Sequence, residues 1–229
     1  MSDFGLLGIL QREPLAFVLL AVGLIEAIAL HEYAHALAAD LQGDRLPRAL
    51  GRLTLNPAKH LDPLGTILIF IVGFGWGKPV EFRREALSSQ RFGAALVALA
   101  GPMMNLLLAI AAAVVLSVLP LDSWRCAASG QWTVSCSGGG FFADALLGFL
   151  WAFFLLNLIL AVFNLIPLPP LDGSRLLTIF LPPSKQNIIF FLDRYGFLIL
   201  LGLVFFGALT VLGPLIGFFA SLILGLVGL

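Results

Sequence analysis

Three stretches without a single Asp, Glu, Lys or Arg constrain this chain more than any other feature: 92–121, 145–171 and 195–229. Each is longer than the ~20 apolar residues needed to cross the hydrocarbon core of a bilayer. Composition agrees, with 60% hydrophobic and 11% charged residues and a mean hydropathy of +1.03, against about 25% charged in an ordinary soluble domain. Thirteen bases against thirteen acids leave no positive excess to neutralise a phosphate backbone, so no nucleic-acid partner is expected. Asp3 and Glu13 precede the first long apolar run and no basic region opens the chain, which argues against a cleaved signal peptide. The expectation is one integral-membrane domain over 1–229, an all-α polytopic protein with about 4–6 transmembrane segments in the lipid bilayer.

The first span is expected over Pro14–Asp40, with polar residues concentrated in its second half. A basic loop, Leu41–Asp62, follows, and its ALGRLTLNP segment alternates as a short strand ending at Asn56-Pro57. Pro63–Gly77 is apolar but too short for a comfortable helical span, and it ends in a run of glycines and aromatics. It reads as a small re-entrant or extended β element. Non-helical backbone is tolerated at membrane depth only beside protein or a water-filled cavity, which places this element near a site. Further spans are expected over Phe92–Leu119, Ala145–Pro167 and Ile188–Val211, with Pro214–Leu229 spanning, shallow or packed alongside.

Basic residues concentrate on the cytoplasmic side of membranes. Arg45, Arg48, Arg52 and Lys59 in one loop and Lys78, Arg83, Arg84 and Arg91 in another put both in the cytoplasm, whereas Pro120–Phe142, with Arg125 as its one base, belongs outside. Cys126 and Cys136 lie in that outer loop, where a disulfide is chemically permitted. The same topology brings the polar half of the first helix and the end of the Ala145 helix to one side of the membrane.

That polar half contains His31-Glu32-Tyr33-Ala34-His35. Four residues apart on a helix, the two imidazoles share a face and can bind one Zn²⁺, while Glu32 is placed to act as a base. Ionisable groups inside a span are costly and by default functional, and a divalent cation would satisfy three of them at once. Catalytic zinc needs a third protein ligand, for which Asp172, His60, Glu26 and Asp62 are candidates. Glu26 points roughly 140° and 180° away from the two histidines at about 100° per residue. His60 and Asp62 lie in the basic loop. Asp172, in the unwound Pro-Pro-Leu-Asp-Gly turn at the cytoplasmic end of a span, is the best placed, although an Asp there can also cap the helix that follows.

HEYAH (His31–His35), AGPMMN (Ala100–Asn105) and NLIPLPPLDG (Asn164–Gly173), in that order and with the intervening GRLTLNPAKHLDPLGT stretch, resemble the site-2 protease family of intramembrane zinc metalloproteases, in its minimal prokaryotic form without a PDZ domain. The resemblance runs from the first span to about Leu177. It implies one zinc ion per chain held by His31, His35 and Asp172, with Glu32 as the catalytic base. It gives Asn164 a part in binding substrate or stabilising the oxyanion. Asn105 is a second candidate for the substrate, or else an interhelical hydrogen bond. The implied activity is hydrolysis of peptide bonds within or next to transmembrane segments, the substrates being single-span membrane proteins. The implied setting is a multi-pass protein of a prokaryotic cell membrane with its active site toward the cytoplasm. A transporter or metal permease using the same His/Asp cluster is the alternative, opposed by the absence of further ionisable residues in 92–121 and 195–229. A non-catalytic membrane adaptor would be expected to lose Glu32, which this chain keeps.

Overall fold

The computed structural model describes residues 7–72, 75–119, 125–128, 134–138, 140–180 and 186–229. A short helix α1 (Leu7–Arg12) leads into α2 (Pro14–Leu41), which starts at a proline whose missing N–H costs nothing in a first turn. Then come α3 (Leu46–Ala49), α4 (Pro63–Val72) and α5 (Gln90–Ser117), a hairpin of β1 (Arg125–Ala128) and β2 (Val134–Ser137), and α6 (Phe141–Asn164). The order closes with α7 (Gly173–Phe180), α8 (Gln186–Phe205) and α9 (Leu212–Leu226). Helices α2, α5, α6 and α8 are long and apolar enough to cross a membrane. At 15 residues, α9 is about 22 Å long, short of the ~30 Å core.

The centre of the molecule is the packing of α2, α5 and α6. Lipid tails are as apolar as leucine, so helices associate there by close packing, which small residues permit. The buried positions fit that demand: Ala27, Ala34, Ala36 and Ala39 on α2, Ala94, Ala98, Ala109 and Ala113 on α5, and Ala152 and Ala161 on α6. Phe154 is completely buried against Ala109, Ala112 and Ala113, and Ile223 of α9 closes the same cluster. Large side chains such as Leu96, Leu107 and Val114 are left on the outer face of α5.

Polar anchors hold the ends of this core. Asp44, completely buried, accepts hydrogen bonds from the Leu46 amide (3.0 Å), the Arg83 amide (2.5 Å) and the Arg83 guanidinium (3.0 Å). Burial works to raise its pKa, but these donors win and hold the carboxyl below its usual value. Gln42 donates to the Ala38 and Gly93 carbonyls and so ties the end of α2 to the start of α5.

Two expectations are corrected. Pro63–Val72 is helical, and β-type pairing near it is confined to one bridge, Leu61 with Gly77. The cause is the cap: Asp62 Oδ1 accepts from the Gly65 amide (2.8 Å) and its carbonyl from the Thr66 amide, with Pro63 in the first turn. The alternating ALGRLTLNP segment forms no strand; α3 ends there, and the Asn56 side chain accepts from the Ala58 amide to open a 3₁₀ turn, Pro57–Lys59. In the β1–β2 hairpin, the register sets Cys126 directly opposite Cys136. Their side chains lie outside the described residues.

His60 is completely buried, with its Nε2–H donating to the Thr54 carbonyl (2.7 Å). Burial pushes its pKa below the usual value and the nearby Arg52 adds to this, against the pull of the Thr54 carbonyl. A depressed folded-state pKa means that the unfolded chain takes up the proton first as pH falls. The stability contributed by His60 is therefore full above about pH 6.5 and is lost progressively below it. The midpoint of thermal unfolding in detergent should fall on acidification from about pH 7 to 5. His60→Gln, whose amide can still reach Thr54, should flatten that limb, and an identical pH dependence in the variant would show that His60 does not cause it.

Candidate metal centre

His31 and His35 project one turn apart from the same face of α2, with their rings edge-to-face at 4.7 Å between centroids. Each spends its Nδ1 behind the site. His35 Nδ1 meets the Val97 carbonyl of α5 at 2.7 Å, and His31 Nδ1 meets Asn105 Oδ1 at 2.5 Å. The orientation of Asn105 follows from its own partners, because its Nδ2 donates to the Ala27 carbonyl and to Asn157 Oδ1 (2.8 Å), while Asn157 Nδ2 donates to the Phe153 carbonyl. Both Nδ1 atoms therefore face acceptors and must carry the proton, which leaves a bare lone pair on each Nε2.

Those lone pairs point at each other and at an anion. The two Nε2 atoms are 3.0 Å apart, and Asp172 Oδ2 lies 3.0 Å from one and 3.2 Å from the other. Three electron-pair donors at such distances repel unless a proton or a metal cation sits among them. Tetrahedral zinc ligands at about 2.05 Å stand roughly 3.3 Å from one another, so the set fits Zn²⁺ with little adjustment. Among the described residues, His31, His35 and Asp172 form the one group of this kind.

Local sequence explains how Asp172 arrives there. After α6, prolines 167, 169 and 170 prevent a regular helix, and the chain returns through tight turns such as Leu171 N–H to the Leu168 carbonyl. Gly173 is required by this return, since a Cβ there would strike the Leu165 and Ile166 carbonyls. Helix α8 braces the turn: Leu200 packs on Leu168 and Leu171, and Gly196 lies so close to Pro169 that a Cβ would meet its carbonyl at 2.6 Å. On the opposite wall, a Cβ on Gly101 of α5 would collide with the Nε2 atoms of both histidines.

Glu32 has a buried Oε2 with no hydrogen-bond partner, 3.8 Å from the Arg52 guanidinium. Gly77 lines its other oxygen, where a Cβ would come within 3.3 Å of Oε1. Asn164 is half-buried at the end of α6, with its Nδ2 donating to Leu160 one turn back. Asn105 is completely buried behind His31, and both ends of its amide are engaged within the protein, the interhelical hydrogen bonding that is the second of its two readings. The other ligand candidates stand apart, with Asp62 capping α4, His60 bonded to Thr54 and Glu26 half-buried elsewhere on α2. Sequence reasoning missed Asn157, Gly101 and Arg52. Of these, Asn157 had a signal, a lone amide in the apolar run FFLLNLIL.

The sequence pattern of peptidase family M50 matches residues 19–203, which includes every residue of this centre. The chain belongs to peptidase family M50. As an M50 member it is an intramembrane zinc metalloprotease, and the transporter alternative finds no support. Similar proteins are "Putative zinc metalloprotease YwhC" of Bacillus subtilis, 39% identical over 182 residues (80% of this chain and 78% of that one), and "Putative zinc metalloprotease Rip2" of Mycolicibacterium smegmatis, 33% identical over 200 residues (85% and 69%). The Rip2 protein of Mycobacterium tuberculosis is 32% identical over 187 residues (77% and 64%). No solved structure matches the chain.

If the buried amides orient His31, Asn105→Leu should lower zinc affinity by the roughly 10–100-fold typical of a lost outer-shell partner. Gly101→Ala, with a methyl where the two Nε2 atoms lie, should lower it as well. Chelator competition on detergent-purified protein measures both, and an unchanged affinity in Asn105→Leu would remove the amide chain from the account.

Proposed function

We propose that His31, His35 and Asp172 hold the zinc ion of this M50 protease, that Glu32 is its general base and acid, and that Asn164 stabilises the oxyanion. The observation that carries this reading is the convergence of two Nε2 lone pairs and a carboxylate oxygen within 3.2 Å of one another, on tautomers dictated from behind. When bound, zinc supplies Lewis acidity, lowering the pKa of water and polarising the scissile carbonyl. Glu32 then takes the proton of the attacking water and returns it to the leaving amine, for which its unpartnered Oε2 is suited. The Asn164 amide would turn from the Leu160 carbonyl toward the tetrahedral oxygen.

A helical substrate hides its peptide bonds, so it must unwind locally before cleavage. Within Pro63–Gly77, α4 is helical, and Gly77, beside Glu32, would offer its backbone to the unwound strand. The substrates we infer are single-span membrane proteins. The two basic loops flanking this side of the molecule argue for a cytoplasmic active site, and the bacterial relatives argue for a prokaryotic cell membrane.

Glu32→Gln should retain zinc and lose about 10²–10⁴-fold in cleavage rate, the usual contribution of general acid–base catalysis. Asp172→Ala should lose zinc and activity together, whereas His60→Ala should keep its zinc. Metal analysis and cleavage of a fluorescently labelled single-span peptide in micelles check all three. Full activity in zinc-loaded Glu32→Gln would overturn the assignment of the base.

A further inference from the structure

Arg52 is a buried guanidinium, 5% exposed, in the loop after α3. Removing such a group from water is costly unless its donors are used. One of its amino groups donates to the Lys59 carbonyl (2.5 Å) and the other to the Lys78 carbonyl. These carbonyls belong to two segments already paired with each other, through the Leu61–Gly77 bridge and the Lys78 amide on the His60 carbonyl (2.7 Å). The amino group that reaches Lys78 also stands 3.8 Å from Glu32 Oε2. One side chain thus joins both segments of the loop wall and faces the proposed base.

The distance matters. At 3.8 Å the charges attract, but no hydrogen bond forms, so the lone pairs of Oε2 stay free to accept a proton. Burial pulls the Arg52 pKa down, while Glu32 and Glu81 push it back up, which marks these carboxylates as its counter-charges. Lysine cannot replace this arrangement, because a single ammonium lacks the planar fork whose two amino groups reach two carbonyls while the charge faces a carboxylate.

We propose that Arg52 is the positioning residue of the general base: it holds Glu32 by charge without capturing it, and fixes the 59–61 and 77–78 segments around it. This rests on the reading of Glu32 given above. Three variants separate positioning from mere structure: Arg52→Lys, Arg52→Gln and Arg52→Ala, assayed for zinc content and for kcat and KM on the labelled single-span peptide. Zinc should stay at one per chain, with KM changed less than kcat. The fall in kcat should be about 10-fold in Arg52→Lys and about 100-fold in Arg52→Gln, within the range of general acid–base contributions. Guanidinium chloride at tens of millimolar should restore part of the kcat of Arg52→Ala, ammonium chloride should not, and neither should act on Glu32→Gln/Arg52→Ala.

Wild-type kcat in zinc-loaded Arg52→Lys and Arg52→Gln would overturn the proposal. So would loss of zinc in parallel with activity in every variant, without guanidinium rescue, since that is a structural role. Should Arg52→Ala fail to fold, Arg52→Lys decides, because it keeps the buried charge and lacks only the fork. A wild-type protein that binds zinc and cleaves nothing would instead overturn the protease reading itself, and this proposal with it.

Discussion

Two hydrogen bonds on the far side of the imidazoles, His35 to the Val97 carbonyl and His31 to Asn105, govern the rest of this molecule. They keep the proton on Nδ1, so that both Nε2 lone pairs face Asp172. Such outer partners are as much a part of a metal site as its ligands. Here the relay extends further back, because the Phe153 carbonyl orients Asn157, which orients Asn105, which orients His31. A chain of amides across three helices works only if those helices are locked in register, and the demand for a fixed tautomer thereby becomes a demand on the packing of α2, α5 and α6.

That packing is met with alanine and glycine. Gly101 allows the α5 backbone to touch both histidines, and the same helix supplies Val97 and Asn105 one turn to either side of it. The opposite wall arrives through the proline turn after α6, folded back on Gly173 and braced by α8. Glu32 is enclosed differently, by loop backbone and a buried arginine. The proposed ligands are thus carried by helices and one turn, and the proposed base is enclosed by loop, a division that suits a site whose metal must stay in place while a substrate enters.

The sequence made the helices legible because charge-free runs of this length have one solution in lipid; α2, α5 and α6 lie within a few residues of the expected spans, and α8 begins where expected but stops at Phe205. The candidate ligands were legible from a helical spacing of four and an acidic residue in a helix-breaking turn. Pro63–Gly77 reads as re-entrant or extended because its shortness outweighs the Asp62-Pro63 cap, which is a helix-start signal in its own right and makes 63–72 helical. Asn105 is legible as a polar residue within a span, but whether such an amide faces a substrate or a histidine depends on which face of a neighbouring helix it meets. Arg52 looked like one more base of a cytoplasmic loop. Its burial arises from the fold of segments 26 residues apart, and nothing in the local pattern announces it.

X-ray absorption at the zinc edge, on detergent-purified protein loaded with one equivalent of zinc, tests the central claim most directly. The account expects four-coordinate zinc with two imidazole nitrogens at about 2.0–2.1 Å and the remaining ligands oxygen at about 2.0–2.2 Å. One imidazole or none in the coordination shell, or a sulfur ligand, would contradict it.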